Sequence, residues 1–273
     1  MNALEALAPG EADRRFSGVR QLYGEAGLAR LQAAAVTIVG IGGVGSWAAE
    51  ALARSAVGTI TLVDLDHISE SNTNRQIHAL GDAYGRAKVE AMAERILQIN
   101  PACRVRSIDA FVDADNVSAL VADTHWVVDC IDQVSAKAAL VAHCRSHAIP
   151  VVVSGAGGGR LDPTRLCSAD LARARGDPLL SKLRYRLRRR HGFPRETTRS
   201  VPRFGVLAVY SDEPVVGSRV AADGSAGSPL ACSGYGSSVA VTGALGFAAA
   251  AVVLRSIAWP APSNATSLTD AGD

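Results

Sequence analysis

Between residues 35 and about 153, short apolar runs alternate with longer stretches of helical periodicity. The runs at 36–40, 59–64, 104–108, 126–129 and 150–154 have the length and β-branched content of buried strands. The segments between them, at 43–54, 87–99, 116–122 and 135–147, space their apolar residues as helices do. The pair Asn100-Pro101 stops the second helix, because a residue before proline is pushed out of the helical region. Strands and helices in alternation predict an α/β fold, Rossmann-like and doubly wound around a mainly parallel sheet. Glycine and proline then become frequent. The sequence Gly155-Ala156-Gly157-Gly158-Gly159 precedes a short segment at 170–175, a basic helix at 180–191, a strand at 203–210, a loop at 214–229 and a final helix beyond Cys232. These elements read as a C-terminal antiparallel extension of the sheet.

The apolar stretch 238–254 carries no charge and approaches the length of a membrane span. Its Ala, Val and Gly composition favours a helix buried in protein over one inserted in lipid, with a membrane anchor as the alternative. Residues 1–13 include acids and have no basic region ahead of an apolar core, so they do not read as a signal peptide and the expected compartment is the cytoplasm. Five cysteines, Cys103, Cys130, Cys144, Cys167 and Cys232, form no Cys-x-x-Cys pair, which argues against a disulfide framework and against a structural zinc site.

The net charge is only +2, too small for a globally basic nucleic-acid binder. The sum conceals a cluster, Lys182, Arg184, Arg186, Arg188, Arg189 and Arg190, with Arg195, Arg199 and Arg203 beyond it. Clustered arginines gain from counterion release at RNA phosphates, so this helix is the expected RNA contact; a merely solvated face is the alternative.

The chemistry begins where the first apolar run ends. Gly40-x-Gly42-Gly43-x-Gly45 forms a glycine turn between strand and helix, and Asp64-x-Asp66 closes the second run. Such a turn lets the backbone approach a phosphate, and the distal acid can bond a ribose hydroxyl. By itself the pattern suits a dehydrogenase as well as an ATP user. The block that follows, Asn72-Thr73-Asn74-Arg75-Gln76 and then Lys88, supplies more phosphate-binding groups than hydride transfer needs. A carboxylate attacking the α-phosphate of ATP approaches a polyanion and expels pyrophosphate, and Arg75 and Lys88 can neutralise that charge. Asp132, just past the strand at 126–129, is placed to hold Mg²⁺ together with phosphate oxygens, or to cap the next helix.

Taken in order, these elements and Asp129-x-x-Asp132 resemble the ubiquitin-activating-enzyme-like adenylation family that includes ThiF, MoeB and HesA. Residues 42–54 and 72–80, with Lys137-Ala138-Ala139-Leu140, Asp177-Pro178-Leu179 and Ser233-Gly234-Tyr235-Gly236, are most similar to the branch that modifies threonylcarbamoyladenosine in tRNA. The resemblance implies ATP-dependent activation of the threonyl carboxylate of that nucleoside beside the anticodon, then cyclisation with net loss of water. It implies a nucleotide site of Gly40, Gly42, Gly43, Gly45, Asp64, Asp66, Asn72, Arg75, Gln76, Lys88 and Asp132, with Arg75, Lys88 and Asp132 nearest the chemistry and Mg²⁺ on Asp132. It further implies a homodimer in which an arginine, best matched by Arg15, reaches the partner's site. Cys232 is a candidate thiol, read as inert because no neighbouring His or Lys lowers its pKa, and a cysteine desulfurase system is a conceivable partner. The alternative activity is adenylation of a ubiquitin-like sulfur carrier; the missing Cys-x-x-Cys pairs count against it. A single adenylation domain is expected at 14–258, its nucleotide half at 14–154 and its tRNA half at 155–258, between flexible tails at 1–13 and 260–273.

Overall fold

A computed structural model describes residues 14–216 and 235–260. Five parallel strands form where the apolar runs predict them: β1 (Ala35–Val39), β2 (Thr59–Val63), β3 (Arg104–Ile108), β4 (Trp126–Asp129) and β5 (Val151–Ser154). Two more, β6 (Leu166–Asp170) and β7 (Leu207–Ser211), complete a seven-stranded sheet in the order β3-β2-β1-β4-β5-β7-β6. Every neighbouring pair is parallel except β6 with β7, so the sheet is Rossmann-like with an antiparallel extension at one edge.

The helices are α1 (Ser17–Ala33), α2 (Gly45–Arg54), α3 (Lys88–Ile99), α4 (Val117–Leu120), α5 (Val134–Ser146), α6 (Pro178–Arg190) and α7 (Val239–Ala258). Strand periodicity sorts them into two layers. Ile38, Ile60, Leu62, Val128 and Val152 point to one face, where they pack with α2, α3 and α7. Val39, Val63, Val127 and Val153 point to the other and meet α4, α5 and α6. Each such side chain stabilises the fold by about 1.5–3 kcal/mol when fully buried, so a one-residue slip of register would expose a whole row.

Several expected boundaries move. The strand expected at 203–210 starts only at Leu207, because the backbone N–H groups of Phe204 and Gly205 donate to the Asp170 carboxylate at 2.9 and 2.8 Å and Gly205 has φ +66°. The segment expected at 170–175 is the end of β6 followed by a turn. The helix expected at 116–122 shrinks to the single turn of α4. Ahead of the first expected strand lies α1, broken at Gly24, where φ is +74°.

The apolar stretch forms α7, capped where Ser238 Oγ accepts the Ala240 N–H at 3.3 Å. It is long and apolar enough to cross a membrane, and half of its most apolar window is buried within the protein. Its small residues have a packing reason. A Cβ on Gly246 would sit 2.4 Å from the Val44 carbonyl oxygen at the start of α2, so α7 crosses α2 with backbones nearly touching.

β1, β2, β4 and β5 all end on one edge of the sheet. β1 lies between β2 and β4, where the winding changes direction, and ligands of open α/β sheets bind in the crevice that opens at such a point.

Candidate active site

The glycine turn leaves β1 at Gly40, with φ +87°, and enters α2 at Gly45. A Cβ on Gly45 would lie 1.8 Å from the Gly40 carbonyl oxygen, and one on Gly40 would lie 3.0 Å from the Cys130 carbonyl group beyond β4. No side chain fits at either place, so the chain turns tightly enough to aim the N-terminus of α2 into the crevice. Asp64 pins this turn to the end of β2. Its Oδ2 accepts the Ile41 N–H at 2.5 Å and its Oδ1 accepts the Asp66 N–H at 2.8 Å. Burial pushes the Asp64 carboxyl upward against the opposing pull of Lys88 and these two donors.

Lys88 opens α3 and is nearly buried, with its Nζ 2.6 Å from Asp66 Oδ2 and 4.0 Å from Asp64 Oδ1. Its charge is thus partly spent on Asp66, the more exposed of the two acids. Arg75 lies across the turn: a Cβ on Gly43 would come 3.1 Å from Arg75 Cγ. Its guanidinium donates to the Ser71 carbonyl at 2.7 Å and to Asn74 Oδ1 at 2.9 Å. Asn72 is buried and shapes this segment, accepting the Ser69 N–H on Oδ1 and the Arg75 and Gln76 N–H groups on its carbonyl. Gln76 is buried with its Nε2 4.0 Å from where a Gly42 Cβ would stand, and its Oε1 has no partner among the described residues.

Asp132 is exposed beyond β4 and makes no hydrogen bond or ion pair among the described residues. It does not cap α5, whose N-cap is Gln133 with no side-chain cap bond. Its turn is fixed from below by Lys137, fully buried, whose Nζ pairs with Asp129 Oδ1 at 3.0 Å and donates to the Asp129 and Ile131 carbonyls at 3.1 Å each. An orphaned buried amide oxygen at Gln76, a free carboxylate at Asp132 and glycines whose side chains would fill the turn fit a nucleotide with its magnesium. Among the described residues no group of three or more His, Cys, Asp or Glu is placed to hold a metal ion by itself.

Sequence reasoning missed three supporting residues. Lys137 was visible as a lone lysine in an apolar helix. Trp47 in α2 donates its indole N–H to the Arg75 carbonyl at 2.9 Å and so anchors the arginine from outside the motif. His78, two residues past Gln76, is buried with neither ring nitrogen partnered among the described residues. Burial, then the charges of Lys88 and Arg95, push its pKa down to about 4.

Arg15 donates to the Ile99 carbonyl at 3.3 Å, at the opposite end of α3 from Lys88. That helix spans roughly 17 Å, so in this chain Arg15 lies away from the glycine turn. Of the expected RNA contacts, Lys182, Arg189 and Arg190 are exposed, as is Arg186. Arg184 is the correction: it is buried against the fold, its guanidinium pKa lowered chiefly by desolvation. Arg188 is half-buried over the Phe204 ring, donating to the Pro194 carbonyl and lying 3.5 Å from Glu196. Burial raises the thiol pKa of Cys103 to about 11 and those of Cys130 and Cys144 to about 12, so none is a poised thiolate. Cys232, most of the loop expected at 214–229, and the tails lie outside the described residues.

Glycines that admit no side chain, Arg75 packed across the turn and Lys88 beside Asp64 line the crevice at the switch point, which defines an α/β nucleotide-binding protein. Residues 16–269 match the model of the ThiF family, and the chain belongs to that family. It is 47% identical over 251 residues to the tRNA threonylcarbamoyladenosine dehydratase of Escherichia coli, covering 89% of this chain and 92% of the relative. Crystal structures of that Escherichia coli dehydratase, TcdA, are similarly close. Its complex with ATP superimposes with a TM-score of 0.81 at 45% identity, and its complex with AMP with 0.82 at 44%, each covering 90% of this chain and 95% of the other.

Proposed function

We propose that this chain is an ATP-dependent tRNA threonylcarbamoyladenosine dehydratase. The observation that carries this reading is the 47% identity along nearly the whole of both chains. The threonyl carboxylate of the modified adenosine attacks the α-phosphate of ATP and pyrophosphate leaves. A nucleophile within the same modification then attacks the activated carbonyl carbon, AMP departs, and a proton is released, so the tRNA has lost the elements of water. Because the attacking group is already tethered beside the activated carbonyl, little further acid or base machinery is needed.

In this reading Gly40, Gly42, Gly43 and Gly45 admit the phosphates, Asp64, Asp66, Asn72 and Gln76 shape and contact the nucleotide, and Arg75 and Lys88 neutralise the triphosphate. Lys88 exchanges its partner Asp66 for phosphate when ATP arrives. Asp132 holds Mg²⁺, which supplies charge neutralisation at the leaving pyrophosphate. The nucleotide half ends near residue 154, and tRNA lies along the exposed side of α6, on Lys182, Arg186, Arg189 and Arg190. The protein works in the cytoplasm as a homodimer in which Arg15 reaches the partner's site. An apolar groove of about 400 Å³ lined by Leu22, Tyr23, Leu166, Val252 and Trp259 supports a protein-covered face there. The reading requires no thiol and no desulfurase, so Cys232→Ser leaves AMP release unchanged.

The test is AMP release from ATP by the purified chain with Mg²⁺ and tRNA carrying threonylcarbamoyladenosine, with mass spectrometry of the nucleosides. AMP and a nucleoside lighter by one water are expected. AMP release with a sulfur-carrier protein instead would transfer the reading to carrier adenylation.

A further inference from the structure

We infer that Tyr185 is a stacking platform for an unpaired nucleobase of the RNA loop that carries the target nucleoside. This rests on the tRNA reading above and names a contact within it. α6 buries Leu179, Leu180, Leu183 and Leu187 and turns Lys182, Arg186, Arg189 and Arg190 outward. In the middle of that cationic face stands an aromatic ring, Tyr185, 62% exposed. The helix contains no acid to balance its cations. Lys182 with Arg186 and Arg186 with Arg190 stand four apart, an arrangement that repels in an isolated helix and is relieved by a polyanion.

Phosphate charge accounts for the cations and leaves the ring unexplained. The Tyr185 ring is held by Arg189, whose Nη1 donates to the phenolic oxygen at 2.6 Å and whose guanidinium carbon lies 5.9 Å from the ring centroid. A ring fixed in this way, exposed and flanked by phosphate-binding cations, has the composition of a single-strand binding surface. A duplex keeps its bases stacked within the helix, whereas a loop can splay a base onto an aromatic face.

The platform is also tied to the catalytic edge. Asp177 caps α6 by accepting the Leu180 N–H at 2.9 Å, and its other oxygen accepts the Ala156 N–H, also at 2.9 Å, just beyond the end of β5. Arg160, fully buried, pairs with the same oxygen at 3.1 Å and donates to the Ser211 carbonyl. The start of α6 is therefore bolted to the edge where β1, β4 and β5 end, and Tyr185 follows roughly 10 Å along the helix. A base seated on Tyr185 fixes the loop relative to the site without touching the reacting atoms, so Tyr185 is a positioning residue.

The experiment titrates the full chain and its Tyr185→Ala and Tyr185→Phe variants with two RNAs, a hairpin with the anticodon loop sequence and a fully paired duplex of equal charge. Vesicles of phosphatidylserine form a third arm. Tyr185→Ala is expected to weaken hairpin binding about tenfold, to leave duplex binding and the salt slope of hairpin binding unchanged, and to keep the melting temperature. Tyr185→Phe is expected to bind the hairpin within about twofold of the parent, since the π-face is retained. Equal hairpin affinity for Tyr185→Ala and the parent overturns the inference, as does an equal loss on hairpin and duplex, or a loss confined to vesicles. A parent chain that binds the hairpin through Tyr185 but releases no AMP with modified tRNA sinks the dehydratase reading alone, and one that binds neither RNA sinks both.

Discussion

Around the glycine turn, the side chains proposed to meet the nucleotide and the side chains that hold them make different demands on the fold. Arg75 and Asp132 are accessible, and Asp132 has no partner to lose. Arg75→Ala and Asp132→Ala are therefore expected to cut AMP release by at least about 100-fold while urea denaturation midpoints stay within error of the parent. Retained turnover would put the chemistry elsewhere. His78 behaves in the opposite way. Its pKa is pushed down to about 4 in the fold against about 6.5 in the unfolded chain. Between these values the unfolded chain takes up a proton that the folded one refuses, so stability falls as the pH drops from about 6.5 to about 4. The full loss is about 3 kcal/mol. Urea titrations across this range should show His78→Gln with a pH limb flatter by that amount; an unchanged limb would mean that the imidazole is solvated. The residues proposed to face ATP stand out in the sequence because their spacing is a motif. The roles of His78 and Trp47 do not, because one acts through burial and the other across a contact between segments distant in sequence, which spacing does not encode; Lys137 left only the trace of a lone lysine in an apolar helix.

At the scale of the elements, two joints decide whether the site exists. The first is the passage from β1 into α2. Gly45→Ala places a methyl group 1.8 Å from the Gly40 carbonyl, so the turn must open; a stability loss of at least about 2–3 kcal/mol is expected, with loss of ATP binding by calorimetric titration. The second is the N-terminus of α6. Asp177→Ala removes the helix cap and strands Arg160, a fully buried guanidinium. Breaking such a pair costs about 3–5 kcal/mol, and thermal melting should show a large drop. β1, β2, β4 and β5 were legible because a strand buried on both faces is a largely apolar run, and β3, at the sheet edge, was legible from its position after the Asn100-Pro101 stop although it carries two arginines. β6 was not. Leu166-Cys167-Ser168-Ala169-Asp170 lacks β-branched residues, and it is extended because β7 offers it a ladder. The start of β7 was misplaced for a related reason, since the Asp170 carboxylate captures two backbone N–H groups that a strand would have used.

For the whole molecule, charge and apolar surface are distributed unevenly over a nearly neutral chain. Replacing Lys182, Arg186, Arg189 and Arg190 by alanine should weaken tRNA binding at low salt and reduce the slope of log K against log salt by about 3, measured by filter binding at several salt concentrations. An unchanged slope would place the tRNA on another face. The sequence by itself determined the α/β winding, the position of the glycine turn, and the choice of residues proposed to face ATP, because alternating apolar runs and fixed spacings are local properties of the chain. Only the tertiary structure decided that Arg184 turns inward while Tyr185 turns outward, that α7 lies backbone to backbone on α2, and that Arg15 sits far from its own chain's turn. Those outcomes depend on which surfaces meet when the layers pack. The glycine turn can be read from a few residues, whereas the surface around it is set by neighbours contributed from across the sheet.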